Sequence, residues 1–549
     1  MPASPMPDAS ALRVPPGARI VTPLCRLAQD CAALTGWRRY GLAFLLGVVL
    51  AGTLPPVDLP PLLFVAFPGL LWLDDGSRGF WASLRLGYAF GLGFFVAGMY
   101  WIAGALLVDI DDYWWALPFA VMGIPAVLAL LPALAMGVAR TVGNRLALSG
   151  FGQVFLFAVA WSAAEWVRGH ALTGLPWNLV GYAWSGGFPG AVAMLQSAAV
   201  VGIYGLSFIT VLAAALPALL GVASFAPVSP VRRWAPAIVA ALLILIPAAA
   251  GAVRLALSAR GETGVWLRLV QPSIAQTLKW DPAQAEGNFR RLLELSAPAQ
   301  EGGKEAHSVA AVLWPEAAST FLLGRDAIHR RAIAAVAPAD GYVITGTLRA
   351  APASGPPTQF WNSIEAIDAG GRIVANYDKA HLVPFGEYMP LREWLPFKKL
   401  TAGTIDLSAG PGPRTLSLPH LPPFAPLICY EAIFPGAVVE PGHRPDWILN
   451  VTNDAWYGRS SGPYQHFAAA RTRAVEEGLP LIRVANNGIS GVIASDGRVL
   501  GSINLDVVGY ADVELPAPGA ATPYARVGDW SFLFLLVLGC LPVAARLRA

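Results

Sequence analysis

Down the first half of this chain, apolar stretches follow one another at close to the length of about 20 residues that a helix needs to cross a bilayer. They are Tyr40–Leu54, Pro61–Leu73, Leu86–Leu107, Trp114–Val138, Phe151–Val167, Val192–Val222 and Ala235–Leu255, and a last one stands at Trp530–Ala545. A chain built this way is expected to fold as a polytopic α-helical membrane bundle of about eight transmembrane helices. Composition agrees: 55% of the 549 residues are hydrophobic and 13% are charged, where a soluble protein carries roughly 25% charge. The first two stretches are short and separated by prolines. The first also resembles a signal-peptide core behind Arg38 and Arg39, and we read it as a retained helix.

Charge along the chain sets the expected topology. Arg38 and Arg39, Arg78, Arg140 and Arg145, Arg232 and Arg233, and Arg546 and Arg548 mark alternate connections, while an intervening turn carries Asp109, Asp111 and Asp112. Basic loops stay in the cytoplasm, so both termini are expected there, and the long polar segment faces the opposite side. In a Gram-negative cell this describes a multi-pass inner-membrane protein with a periplasmic domain. The net charge of +3 is too small and too dispersed to recruit nucleic acid. Residues 1–260 are thus expected to form a membrane domain of about seven helices, 261–515 the polar domain, and 516–549 a linker and a final transmembrane helix.

The polar segment has a different texture. β-Branched runs at Val265–Val270, Val309–Leu313, Tyr342–Leu348, Ile364–Ile367, Ile373–Tyr377, Pro426–Cys429, Trp447–Val451, Leu481–Val484, Gly491–Ala494 and Tyr510–Val513 read as strands. Ala369-Gly-Gly-Arg372 and Ser495-Asp-Gly-Arg498 read as hairpin turns. Helical stretches at Asp281–Ser296, Arg325–Val336 and Pro463–Glu477 complete a mixed sheet covered by helices.

Three candidate chemical groups follow predicted strands: Glu316, Lys379 and Cys429. Side chains at strand ends can converge although distant in sequence. A thiol with an ordinary pKa of about 8.5 needs a base or a nearby cation before it attacks; Glu316 can be the base and Lys379 the cation. Lys379 and the Tyr430 backbone N–H can also face a tetrahedral oxyanion, where such donors are worth roughly 10²–10³ each. Cys25 and Cys31 lie near the N-terminus and Cys540 in the last apolar run, so Cys429 stands alone in its domain. His381 and His466 are the histidines nearest these motifs, and surface or loop roles are expected for both. Taken singly, Asn453-Asp454 reads as a turn cap and Glu387 as a surface charge.

Together these motifs resemble a known family. Glu316, Lys379 and Cys429 resemble the Glu–Lys–Cys centre of the nitrilase, or carbon–nitrogen hydrolase, superfamily. HLVPFGEYMP (His381–Pro390), ICYE (Ile428–Glu431), NDAWYG (Asn453–Gly458) and ANNGISG (Ala485–Gly491) resemble its membrane-bound branch, the apolipoprotein N-acyltransferases. Ala163–Tyr182 and Gly202–Phe208 in the membrane half are similar to that branch too. The resemblance implies an α-β-β-α nitrilase-like domain on the helix bundle and a ping-pong acyl transfer without metal or organic cofactor. The implied donor is a membrane phospholipid, phosphatidylethanolamine by analogy, and the implied acceptor is the free α-amino group of a diacylglyceryl-apolipoprotein. It further implies that Glu387 orients Lys379 or the base, that Tyr430 and Glu431 shape the site, and that Trp280 and Trp456 support substrate. A monomer is the expected state.

Two further expectations come from the residues themselves. Met389–Leu400 mixes Leu391, Trp394, Leu395 and Phe397 with Arg392, Lys398 and Lys399, the make-up of an arm that dips among lipid headgroups. Glu165 and Arg168 lie near the end of a span, where ionisable groups are costly; a functional pair and a salt bridge at the helix–loop junction are both open. Two competing readings of the whole chain are a membrane-tethered amidase and a non-catalytic lipid-binding or transport protein. The first needs only an anchor, and the second leaves the Glu–Lys–Cys set without a purpose.

Overall fold

The computed structural model describes residues 18–221, 230–258, 261–297, 308–390 and 406–537. The expected lipid-facing arm beyond Pro390 and the final span beyond Val537 lie outside the described residues.

Among the described residues, Phe80–Leu107, Phe119–Arg145, Ala198–Gly221 and Arg233–Leu257 are long and apolar enough to cross a membrane. Three other expected spans lie outside that set for local reasons. Gly36–Ala51 and Leu63–Asp75 are helices of 16 and 13 residues, below the roughly 20 that hydrocarbon requires. Phe151–His170 reaches 20 residues but carries Glu165, Arg168 and His170 in its last turns. The expected Val192–Val222 span is matched by Ala198–Gly221, preceded by the short helix Ala191–Leu195; inside helix Ala198–Ala215, Gly202 leaves helical geometry at φ 67°. Only glycine fits there, since a Cβ would stand 2.3 Å from the Tyr524 ring. The break does not orphan the backbone, because Ile203 N–H donates to Glu476 Oε1 at 2.8 Å. Ala198–Gly221 is enclosed by other helices, whereas Leu242, Leu245, Ile246 and Val253 of Arg233–Leu257 stand exposed, as suits an apolar helix face solvated by lipid.

The polar segment forms two six-stranded sheets. The first contains β1 (Glu262–Gln271), β2 (Val309–Leu313), β3 (Tyr342–Ala351), β4 (Gln359–Asp368), β5 (Ile373–Asp378) and β12 (Gly509–Pro516), in the order β12-β1-β2-β3-β4-β5. The second contains β6 (Leu416–Leu418), β7 (Leu421–Ile428), β8 (Trp447–Thr452), β9 (Leu481–Ala485), β10 (Ser490–Ile493) and β11 (Val499–Ile503), in the order β11-β10-β9-β8-β7-β6. Leu267, Leu313, Ile344 and Ile364 from one sheet share a core with Phe424, Ile428, Trp447 and Leu449 from the other. Helices Ala285–Ser296 and Ala327–Ala334 cover the first sheet through Phe289, Leu292 and Ile333. Helix Gly462–Glu477 covers the second through Ala470 and Ala474. The layers are therefore helix, sheet, sheet, helix, as expected.

Both hairpin signals hold: β4 and β5 pair antiparallel across the first turn, and β10 and β11 across the second. The parallel run β7-β8-β9 explains why β8 is buried at every residue, since both of its faces are covered.

Candidate active site

Each functional side chain is set by the way its strand ends. After β2 the chain turns at Trp314-Pro315-Glu316, and Ala317 takes φ +44°. The turn lies flat on β3 because Gly346 has no side chain: a Cβ there would stand 2.5 Å from the Pro315 carbonyl oxygen. Gly346 N–H donates to that oxygen at 3.2 Å, and Ala318 N–H donates to Gly346 O at 2.9 Å. Lys379 directly follows β5, where its N–H donates to Asn362 O at 2.8 Å and its carbonyl accepts from Gly410 N–H at 2.8 Å.

Cys429 ends β7 with φ +52°, a left-handed conformation that a β-carbon resists. Glu431 holds this elbow in place. Its Oε2 accepts from Ile428 N–H at 2.7 Å, and its Oε1 accepts from Tyr377 O–H at 2.7 Å, Ala380 N–H at 2.8 Å and His381 N–H at 3.2 Å. The Cys429 elbow is thereby stapled to the chain that carries Lys379.

These ends bring Glu316, Lys379, Glu387 and Cys429 into one buried cluster. Lys379, 1% exposed, has its Nζ 2.9 Å from Glu387 Oε2 and 3.7 Å from Glu316 Oε1. Asn362 Nδ2 donates to Oε1 of both glutamates at 2.8 Å. Burial opposes the charge on Lys379, but Glu387, Glu316 and Cys429 together hold its pKa well above the ordinary lysine value. Burial, and then the charge of Glu316, push the Cys429 thiol up to about 12 against the pull of Lys379. Of the two aids expected for the thiol, the base is the one this environment calls for. A thiol held this high is neutral near pH 7, so any reaction at its sulfur would need a base to take the proton.

Glu387 is buried and bonded to Lys379 rather than a surface charge. Tyr430 O–H donates to Gly174 O at 3.0 Å, which ties the elbow to the loop after Phe151–His170. Trp280 and Trp456 are half-buried, and Trp456 O lies where a Cβ on Gly104 would come within 2.8 Å. The polar contact from the Trp280 turn runs through its neighbour: Lys279 Nζ donates to Glu316 O at 2.8 Å. Burial pushes Lys279 down to about 8, against Glu316 and Cys429.

Sequence reasoning missed Lys279 and Asn362, and it misplaced His466 and Asp454. His466 is fully buried, not a surface or loop group, because it lies on the face of helix Gly462–Glu477 that covers β8 and β9. Asp454 is no simple turn cap, since Arg483 and His466 both bond it. Glu165 and Arg168 hold the backbone: Glu165 Oε1 accepts from Val180 N–H at 2.9 Å, and Arg168 donates to the carbonyls of Leu175, Trp177 and Asn178. Among the described residues, no group of three or more His, Cys, Asp or Glu side chains is arranged to hold a metal ion.

Comparison with known proteins agrees with this architecture. Residues 46–216 match the apolipoprotein N-acyltransferase N-terminal domain family, and residues 267–521 the carbon-nitrogen hydrolase family. The apolipoprotein N-acyltransferase of Rhodopseudomonas palustris is 40% identical over 542 residues, covering 96% of this chain and 98% of its own. That of Bradyrhizobium diazoefficiens is 43% identical over 542 residues, covering 95% and 98%. Among solved structures, an amidase of the nitrilase superfamily from Nesterenkonia AN1 aligns with 51% of this chain and 99% of its own, at 20% identity and a TM-score of 0.35. Matched in both its halves and along nearly its whole length by enzymes of one activity, the chain belongs to the apolipoprotein N-acyltransferase family.

Proposed function

We propose that this enzyme moves a fatty acyl chain from a membrane phospholipid, by way of a thioester on Cys429, to the α-amino group of a diacylglyceryl-cysteine at the N-terminus of an apolipoprotein. The observation that carries this reading is the meeting of Glu316, Lys379 and Cys429 at the ends of β2, β5 and β7. In the first half-reaction Glu316 takes the thiol proton, sulfur bonds the ester carbonyl carbon, and the carbon–oxygen bond to glycerol breaks. The proton passes to the departing alkoxide, which leaves as lysophospholipid. In the second half-reaction the amine nitrogen bonds the thioester carbon and the carbon–sulfur bond breaks. Glu316 takes the amine proton and returns it to the thiolate. Lys379 and the Tyr430 N–H face the oxyanion in both halves, Glu387 and Asn362 orient Lys379 and Glu316, and no metal or cofactor takes part. Phosphatidylethanolamine is the donor by family resemblance.

The same reading places the enzyme in an inner membrane as a monomer with about eight spans, 261–515 periplasmic and both termini cytoplasmic. Reporter fusions after Arg145 and near Leu515 should report opposite sides, and matching signals would refute this topology. The chemistry is tested by mass spectrometry of the protein incubated with phospholipid. A fatty-acyl adduct on Cys429 that disappears when a diacylated peptide is added is the expected result, and a wild-type enzyme that transfers acyl chains with no such adduct would refute the thioester route.

A further inference from the structure

Behind the nucleophile lies a second set of buried charges for which the acid–base scheme has no use. Asp454 from the loop after β8, His466 from helix Gly462–Glu477 and Arg483 from β9 are each at most 1% exposed. Arg483 Nη2 donates to Asp454 Oδ2 at 2.8 Å and lies 3.0 Å from His466 Nδ1. Thr452 O–H donates to Asp454 Oδ1 at 3.0 Å, and His466 Nδ1 stands 2.9 Å from that same oxygen. The other ring nitrogen, Nε2, lies 3.0 Å from the carbonyl oxygen of Cys429. A carbonyl only accepts, so Nε2 carries a proton in either charge state of the ring.

That carbonyl and the Tyr430 N–H are the two ends of one peptide unit. A hydrogen bond accepted at the oxygen polarises the amide and makes its N–H a stronger donor. It also fixes the orientation of a peptide that starts from the left-handed Cys429.

We propose that His466 is a positioning residue for acyl transfer: through Nε2–H it holds and polarises the Cys429–Tyr430 peptide, whose N–H faces the oxyanion, while Asp454 and Arg483 fix the ring. The membrane half braces the arrangement from the other side. Trp177 from that half packs on the His466 ring with centroids 5.5 Å apart, beside Tyr457 of the polar domain at 5.9 Å. Neighbouring Gln465 accepts at Oε1 from the indoles of Trp101 at 3.1 Å and Trp177 at 2.8 Å. Seating of the membrane helices thus bears on the geometry of the nucleophile's own backbone.

The proposal rests on Cys429 being the acylated nucleophile, and the test separates the two. Single-turnover acylation by phospholipid is followed in parallel with alkylation by iodoacetamide, in which the cysteine sulfur displaces iodide at a tetrahedral carbon and no oxyanion forms. His466→Leu should slow acylation by roughly 10²-fold and leave alkylation within about twofold. His466→Gln, whose amide N–H can reach the same carbonyl, should recover acylation to within about tenfold of wild type. Unchanged acylation in His466→Leu overturns the proposal, as does equal loss of both reactions in a protein that melts like wild type. Should His466→Leu fail to fold, the glutamine variant decides: recovery supports the proposal, and a folded His466→Gln that alkylates but does not acylate overturns it. A wild-type enzyme that alkylates at Cys429 yet never carries a phospholipid-derived acyl group there would defeat the nucleophile assignment and leave His466 out of the question.

Discussion

Both halves of the molecule bury charged side chains, and they employ them differently. In the membrane half Arg168 ends on the carbonyls of Leu175, Trp177 and Asn178, and Glu165 on the N–H of Val180. In the hydrolase-type half Lys379 stands between Glu387 and Glu316, with the Cys429 thiol within electrostatic reach. Backbone partners have no proton to exchange, so the first arrangement can only hold a loop. Titratable partners can pass a proton among themselves, so the second can do chemistry. Burial alone does not separate the two arrangements; the groups that each charge bonds differ.

If that distinction is sound, substitutions in the two regions should fail in different ways. The largest effect is expected from Cys429→Ala and Glu316→Gln. The first removes the nucleophile and the second keeps the shape while removing the base, so acyl transfer should fall by at least about 10³-fold with the fold intact. Near-normal turnover in either variant would remove that residue from the mechanism. Lys379→Met should follow at roughly 10²–10³-fold, and it also leaves Glu387 without its cation. Arg168→Leu should show the opposite pattern. Its orphaned carbonyls should cost about 1–3 kcal/mol each, lowering the melting temperature in detergent while the folded fraction still acylates Cys429. A loss of acylation without a change in melting would break the contrast between the halves.

The thiol offers a sharper probe. With its pKa raised to about 12 by burial and by Glu316, the thiolate fraction should grow close to tenfold per pH unit across the accessible range. An ordinary thiol levels off above about pH 8.5. Iodoacetamide alkylation of Cys429 should therefore rise from pH 7 to pH 10 without a plateau. In Glu316→Gln one of the causes that raise the pKa is gone, so alkylation at a fixed pH should quicken although acyl transfer is lost. A plateau near neutral pH in the wild type would mean a standing thiolate, and Glu316 would then have no proton to take.

The contrast also explains what could be read from the chain. Both hairpins were legible because Gly370-Gly371 and Asp496-Gly497 are turn chemistry written in sequence, and β8 was legible because a strand covered on both faces is mostly apolar, here Trp447, Ile448, Leu449 and Val451. β6 and β11 were not. The first alternates Leu416-Ser417-Leu418 but is only three residues long, and the second is exposed along most of its length, so neither gives a hydrophobic run long enough to read. Among the described residues four of the expected spans are long and apolar enough to cross a membrane, because hydropathy does not register where a helix such as Leu63–Asp75 stops. In the site, Glu316, Lys379 and Cys429 stood out through their strand-end positions. Asn362 lies in mid-strand on β4 and looks like any polar strand residue. His466 and Arg483 sit on a helix and a strand whose burial is decided by the layers above and below them.

The smallest effect is expected where the two halves touch. Tyr430 O–H donates to Gly174 O at 3.0 Å, and its ring packs against Phe434 and His381. Tyr430→Phe keeps the ring and removes one neutral hydrogen bond, so it should cost about 1 kcal/mol and slow acylation by no more than about fivefold. Tyr430→Ala also removes the ring from between the elbow and the membrane loop, and should cost about 3 kcal/mol or more. If the hydroxyl donated to the reacting carbonyl rather than to Gly174, the phenylalanine variant would lose acylation as severely as Lys379→Met, with no matching change in melting temperature. Measuring both quantities on the same two variants therefore decides whether this contact belongs with the backbone-holding charges of the membrane half or with the proton-passing cluster around Cys429.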